Sequence, residues 1–591
     1  MIRKLTNALA GAIVMTAAPA MAQDAVGYWQ GTLVLTETLK LPTGVTIERG
    51  ANGTLTGTLD SPDQNAFGIP LADIALAEGK LSFTVPAIGG TYEATWDPAA
   101  QAWDGTFSQM GNSVPLVLTA GDPATRPRPK PLPAEWSIPG DAALGALMEE
   151  RIALREGAGM VLGVIEPEGA RIVARGPAGG PLFDGDTVFE IGSITKVFTA
   201  LLLADMAQGG TVALDDPVQK YLPAGAAMPT RNGKAITLRH LTMQTSGLPR
   251  LPDNMSYGDP EDPYADYTEQ HLLAFLAGHE LQRDPGEEYE YSNLGIGLLG
   301  YALARTAGTD YESLLRQRIL DPLGMDDTAI DLPPAMEARF ATPYDQFMRP
   351  TKPWAIPAFA GAGGLRSTAN DMLGFLAAAL DPASPLAPAM ELTLSDKLGE
   401  ADGPQTALGW TVFHPPTGEV LQHGGGTGGF RTHMALQPET GRAVVGLTNS
   451  GVEPGAQDIA LHALVGVPVA EARPVPEAPP PPAPREEVTL TPAQLEHVVG
   501  TYQLTPQIQI AVRREGERLM AQLTGQQAFQ IYPEAPLSFF WKIVNAQIRF
   551  TEENGELTGA VFSQDGRTTE LEKVGQPKRK KAPARAEAFK R

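Results

Sequence analysis

The chain contains no cysteine, which removes disulfides, thiolate metal sites and cysteine nucleophiles together. Packing alone must hold the fold. Basic residues are in the minority: 45 Lys plus Arg stand against 68 Asp plus Glu, and the net charge of -23 repels nucleic-acid phosphates and anionic membrane surfaces. Nucleic acid is therefore not an expected partner. No apolar run reaches spanning length, so no membrane span is expected in the mature chain. There is no Gly-x-Ser-x-Gly elbow, which disfavours an α/β-hydrolase, and no His-Glu-x-x-His stretch to suggest zinc. His240, His271, His279, His414, His433, His462 and His497 show no paired ligand spacing and read as structural. Neither metal nor cofactor is expected.

The 591 residues, 43% hydrophobic and 19% charged, have ordinary globular composition, and about 150 residues per domain gives roughly four domains. Arg3 and Lys4, the apolar stretch Leu9 to Ala18 and Ala20-Met21-Ala22 read as a signal peptide over 1–22. Export to the periplasm or outside the cell is the expectation. Residues 23–122 alternate short apolar strands with turn residues, the pattern of an antiparallel β module. A proline-rich linker is expected over 123–135, because missing N–H donors and fixed φ suppress helix and central strand. Residues 136–470 mix signals: Ala142 to Leu154 has helical spacing, "GMVLGVIEPEGARIVARG" reads as a hairpin, and Val197 to Met206 is an apolar helical run. That domain is α/β (α+β) in character. A second proline tract, 471–486, forms a spacer. Residues 487–575 return to alternating strands, and "NGELTGAVFSQDG" echoes "NGTLTGTLDSPDQ" of the first module. "GYW" at Gly27 and "GTY" at Gly500 resemble the opening of lipocalin-type β-barrels, so the C-terminal module is expected to be lipocalin-like. The basic tail, 576–591, reads as a solvated segment.

Three short patterns carry chemistry: "SITK" at Ser193 to Lys196, "YSN" at Tyr291 to Asn293, and "HGG" at His423 to Gly425. Ser193 follows Gly192 and opens the apolar helical run, where unpaired N–H groups and the helix dipole favour developing negative charge. Lys196, three residues on, shares its helical face, and a lysine made neutral by burial can take the serine proton. Taken alone, the pair also reads as a cap serine beside a solvated lysine. Tyr291 and Asn293 stand in a loop that enters a helix, where a phenol could relay protons and an amide could contact a substrate carbonyl and orient the lysine. His423 ends the strand-like "EVLQ" and opens a glycine run expected to let a substrate approach the backbone closely and to leave backbone N–H groups free. The Gly426 N–H would join that of Ser193 in an oxyanion hole. The run also fits Gly-x-Gly-x-x-Gly, but strand-like "FRTHMALQP" follows where a dinucleotide fold needs a helix.

With "ITLRHLTMQTSGLPR", "PLGMDDT" and "GAGGLRSTANDMLGFL" added, the stretch from Trp136 to Ala470 resembles the serine β-lactamase and penicillin-binding-protein superfamily, in its class C-like branch of D-aminopeptidases, D-Ala-D-Ala carboxypeptidases and esterases. The resemblance implies a central domain with an antiparallel sheet covered by helices. It also implies Ser193 as nucleophile, Lys196 as its base, Tyr291 as second proton-transfer residue, Asn293 as substrate-amide ligand, and His423 with Gly425 as the third motif. Class C β-lactamases usually carry Lys-Thr-Gly where this chain has His423-Gly424-Gly425, which weakens a dedicated β-lactamase assignment. A histidine, only partly charged near neutral pH, anchors a carboxylate less reliably than lysine. The expected protein is an exported serine hydrolase that takes a small peptide, ester or β-lactam. The alternatives are a penicillin-binding sensor with slow turnover and a class C-like β-lactamase.

Overall fold

The computed structural model describes residues 24–575 except 36–39, 51–52, 65, 78, 110–111, 129–130, 178, 256–258, 260, 401–404, 479–484, 504–508, 524–527, 543–544 and 565–566. The expected signal peptide and basic tail lie outside the described residues. The chain divides into two compact units at residue 129.

In the first unit, nine antiparallel strands pair with their neighbours in sequence except between the fourth and the fifth, and the first, Gly27–Val34, pairs also with the last, Asn112–Ala120. The strands thus form one sheet, with Ala66–Pro70 and Ala72–Ala77 at its two edges. Alternation sets which face is buried: Leu81, Phe83 and Val85 point inward from one strand, and Trp29, Trp96 and Trp103 meet edge-on at 5.2 to 6.1 Å. Buried Asp60 accepts from Arg126 (2.7 and 3.0 Å), which ties the start of the proline-rich stretch to this module.

The second unit is built on an eight-stranded antiparallel sheet in the order Gly169–Arg175, Met160–Glu166, Arg442–Thr448, Arg431–Gln437, Val420–Gly426, Trp410–Phe413, Gln405–Ala407, Lys397–Leu398. "GMVLGVIEPEGARIVARG" forms the expected hairpin, with Glu166 opposite Gly169 across Pro167-Glu168. The strand "MVLGVIE" is apolar throughout because both faces are covered, the usual signature of a sheet between helical layers. Met160, Leu162 and Val164 pack with Leu144, Met148 and Leu464 from the helices Asp141–Ile152 and Gln457–Val465. Val161 and Ile165 pack on the opposite side with Phe198, Phe375 and Leu447. That larger layer holds the helices Thr195–Gln208, Asn293–Ala307 and Ala369–Leu380.

From Gly500 to Gly575 eight strands run up and down and close into a barrel. The Asn554-Gly555 turn, with φ of +54° and +83°, joins Ala546–Glu553 to Glu556–Gln564 in the way that Asn-Gly favours. Tyr502, Phe539, Ile548 and Phe550 fill its core.

Candidate active site

Three elements converge on Ser193. The strand Val188–Glu190 ends in Gly192, whose φ of +51° lets the chain reverse into a 3-10 turn, Gly192–Ile194, and then into the helix Thr195–Gln208. That helix is buried continuously from Thr195 to Ala204, as a helix passing through a core must be, so Lys196 in its first turn is carried into the interior and is 1% exposed.

Tyr291 and Asn293 are positioned by a cap. Ser292 accepts from Gly295 N (2.8 Å) and starts the helix Asn293–Ala307, while its hydroxyl donates to Pro249 O (2.7 Å). Gly297 and Gly300 thin this helix where the Phe359 to Gly361 turn crosses it; a methyl on Gly297 would lie 2.5 Å from the Phe359 ring. The close crossing brings the Ala362 carbonyl to the Lys196 amine, at 2.5 Å.

The third element is the strand Val420–Gly426. Its neighbour Trp410–Phe413 pairs with Val420 to Gln422, so the next residues offer their edge to the 3-10 turn. A methyl on Gly425 would fall 2.0 Å from Ile191 O and 2.2 Å from Thr432 Oγ1. Thr432 donates to the same Ile191 carbonyl (3.0 Å). Gly192 and Gly426 also touch: a methyl on Gly192 would meet the Gly426 nitrogen at 2.7 Å.

In the assembled site, the Lys196 amine donates to Ser193 Oγ at 3.0 Å and the Tyr291 hydroxyl donates to the same oxygen at 2.7 Å. Burial, with the Arg250 charge second, holds the Lys196 amine well below the usual lysine range. Burial likewise raises the Tyr291 phenol, opposed by its Ser193 bond and by Arg250, so the phenol keeps its proton. A neutral amine and a protonated phenol on one hydroxyl can remove its proton and return it elsewhere. His423 is buried and pushed down to about 4, first by burial and then by Lys196. Its Nδ1 faces Gly424 O at 2.7 Å, which leaves Nε2 the acceptor of a neutral ring.

Three expectations need correction. The strand does not end at His423 but continues to Gly426, paired to Arg431–Gln437, because alternating contacts on the paired edge tolerate glycine. Gly425 makes room for the protein's own Ile191 carbonyl, the close approach read from the sequence as one to substrate. Asn293 does not hold the lysine: the acceptors of Lys196 are Ser193 Oγ and Ala362 O, while the Asn293 side chain lies beside Tyr264 and its Oδ1 has no partner among the described residues.

Several residues went unread in the sequence. Tyr264, Trp354 and Phe359 wall the cleft at Ser193, and Glu190 fixes Trp354 by accepting its backbone N–H (2.8 Å). Arg250 stacks on the Tyr291 ring, 5.0 Å from its centroid. Arg250 ends "TSGLPR" and Ala362 lies in "GAGGLRST", segments whose apolar spacing gives no residue in them a role. His240 and His271 close capping boxes with Thr237 and Thr268.

The Beta-lactamase family model matches residues 144–467. The D-alanyl-D-alanine-carboxypeptidase/endopeptidase AmpH of Escherichia coli (strain K12) is 33% identical over 277 residues, 43% of this chain and 69% of that protein. A β-lactamase of Pseudomonas fluorescens is 27% identical over 317 residues, 47% of this chain and 84% of its own. A solved β-lactamase/D-alanine carboxypeptidase from Yersinia pestis, complexed with citrate, aligns with a TM-score of 0.48 at 26% identity, over 56% of this chain and 98% of its own. The chain belongs to the Beta-lactamase family. It is a serine hydrolase related to D-Ala-D-Ala carboxypeptidases and penicillin-binding proteins.

Proposed function

We propose that the protein hydrolyses amide or ester bonds through an acyl-enzyme on Ser193. The observation that carries this reading is the pair of hydrogen bonds on Ser193 Oγ, from a buried Lys196 and from Tyr291. Lys196 takes the serine proton as Oγ bonds to the substrate carbonyl carbon. The Ser193 and Gly426 N–H groups then face the oxyanion, an interaction worth roughly 3 kcal/mol per donor. As the bond to the leaving group breaks, Tyr291 gives its proton to the departing nitrogen or oxygen and is reprotonated from Lys196. Water then attacks the acyl-enzyme and releases the acid and a free Ser193 hydroxyl. Asn293 contacts the substrate amide through its unpartnered Oδ1. Neutral His423 contributes an acceptor and a wall to the substrate cleft beside Gly425.

The substrates that fit are D-amino-acid peptides and small acyl esters, on two grounds: the relative AmpH is named for a D-alanyl peptide activity, and the cleft walled by Tyr264, Trp354 and Phe359 is narrow. Export follows from the signal-like residues 1–22. We read the C-terminal barrel as lipocalin-like on its consecutive strand order, and the two proline tracts as borders of the catalytic domain at 136–470. The test is a parallel assay of p-nitrophenyl esters, D-amino-acid amides, D-Ala-D-Ala peptides and nitrocefin with the native protein and Ser193→Ala. Loss of all turnover in the variant is expected; activity that survives it refutes the mechanism.

A further inference from the structure

We propose that Arg250 selects substrates by charge, its guanidinium receiving a carboxylate carried close to the scissile bond. The inference rests on the acyl-enzyme reading of Ser193 and adds to it the residue that replaces a third-motif cation.

Arg250 is exposed and its charge is linked to the reacting oxygen through Tyr291: the guanidinium lies 5.0 Å from the ring centroid, and the ring's hydroxyl is 2.7 Å from Ser193 Oγ. A guanidinium over an aromatic face keeps donors free for the planar, two-point grip that carboxylates accept. Its backbone is fixed to the catalytic elements. Arg250 O accepts from Asn293 N (3.0 Å) and Leu294 N (3.3 Å), and the preceding Pro249 O accepts from Ser292 Oγ. The side chain therefore starts from a fixed point beside Asn293, and its guanidinium rests on the Tyr291 ring.

Acids are in excess in this chain, and other arginines of the same unit pair with them: Arg239 with Asp215, Arg283 with Glu290, Arg339 with Asp327 and Arg366 with Glu190. Arg250 forms no ion pair with any described residue. A permanent cation left open at the mouth of a site, in a protein of net charge -23, is a place for an anion brought by the ligand. The other basic groups at the site do not compete for it. Lys196 is buried with both its acceptors inside the protein, and His423 is buried with its Nδ1 spent on Gly424 O.

The test uses the full chain and two fluorophosphonates identical except that one carries a side-chain carboxylate and the other its methyl ester. The rate of adduct formation at Ser193, read by mass spectrometry, is compared for native protein, Arg250→Gln, Arg250→Lys and Arg250→Glu. The native protein is expected to react with the acid about tenfold faster than with the ester, the effect of one charge-assisted hydrogen-bonded pair. Arg250→Gln should bring that ratio close to one, Arg250→Lys should restore part of it, and Arg250→Glu should invert it. The native preference should also shrink as salt rises. A ratio that Arg250→Gln leaves unchanged, or a native protein that does not prefer the acid, overturns the role of Arg250 while leaving the acyl-enzyme intact. Adducts that miss Ser193 with both probes overturn the acyl-enzyme reading itself, and the selection by charge with it.

Discussion

Lys196 illustrates how burial, helped by a nearby charge of the same sign, can turn a cation into a base. Its amine has two acceptors, Ser193 Oγ and Ala362 O, and no carboxylate among the described residues; burial first, and then the Arg250 charge, hold it well below the usual lysine range. Lys196→Ala should therefore slow adduct formation at Ser193 by about two to four orders of magnitude, the usual range for a lost general base. Lys196→Arg should slow it as much, since a guanidinium keeps its proton at any working pH. The sign of the pH dependence follows from the same shift. The active form is the deprotonated amine, so the native rate should rise with pH through the depressed lysine pKa and flatten above it. Single-turnover labelling across the pH range checks both claims; a rate that falls as pH rises through that range would contradict them.

The strand Val420–Gly426 shows where tertiary contact decides what a residue is for. Gly424 and Gly425 are adjacent and look alike in sequence, yet they face opposite sides of the sheet. A methyl at Gly424 meets His433 Nδ1 at 3.4 Å, an ordinary contact, whereas one at Gly425 meets Ile191 O at 2.0 Å. Gly425→Ala should push the strand off the 3-10 turn, lower adduct formation at Ser193 by about a hundredfold, as small misplacements of a reacting group do, and cost about 1–3 kcal/mol. Gly424→Ala should leave both close to native. Equal losses in the two variants would show that the glycine run serves the backbone in some other way. Opposite Gly424, His433 is buried on the far face, and neither ring nitrogen has a partner among the described residues. Burial first, and then the His423 charge, push it down to about 3. Between that value and the unfolded value near 6.5, the unfolded chain binds the extra proton, so stability is lost as pH falls through 6.5. His433→Phe should flatten that acid slope by up to about 1.4 kcal/mol per pH unit, measured by denaturant unfolding between pH 7 and 5.

The same strand marks the boundary of what was legible. Its strand character, the helix after Ser193 and the loop before Asn293 could be read because periodicity and capping are local. So could the meeting of Ser193 with Lys196, one turn apart on a helix. The approach of Ile191 to Gly425, the Ala362 carbonyl on Lys196 and the stacking of Arg250 on Tyr291 join residues far apart in the chain. No periodicity encodes them; they follow from how thinned helices and glycine edges pack. The strand "MVLGVIE" reads as one arm of a hairpin even though burial on both faces erases the alternation that usually identifies a strand.

In the molecule as a whole, the hydrophobic cores of the N-terminal sheet, the catalytic domain and the C-terminal barrel are separate clusters with no shared side chains. Separate cores predict that heat unfolds the protein in more than one step. Arg151 allows the steps to be assigned. It is 1% exposed and gathers the two ends of the catalytic domain, donating to Asp458 (2.7 and 2.9 Å) and to the carbonyls of Pro454, Gly455 and Ala470. Among the described residues, Arg151→Ala removes its donors from Gly455 O and Ala470 O and leaves Asp458 only the Ala470 N–H and Pro454 O only Arg155, a loss of about 3–5 kcal/mol for a buried pair cut on one side. That loss should lower the calorimetric transition of the catalytic domain by several degrees. The transition of the N-terminal sheet should stay where it is, and it should be followed through the near-ultraviolet circular dichroism of Trp29, Trp96 and Trp103, which cluster there, with Trp→Phe variants of these three assigning the signal. A single transition, moved as a whole by Arg151→Ala together with the tryptophan signal, would mean that the modules unfold as one body despite their separate cores.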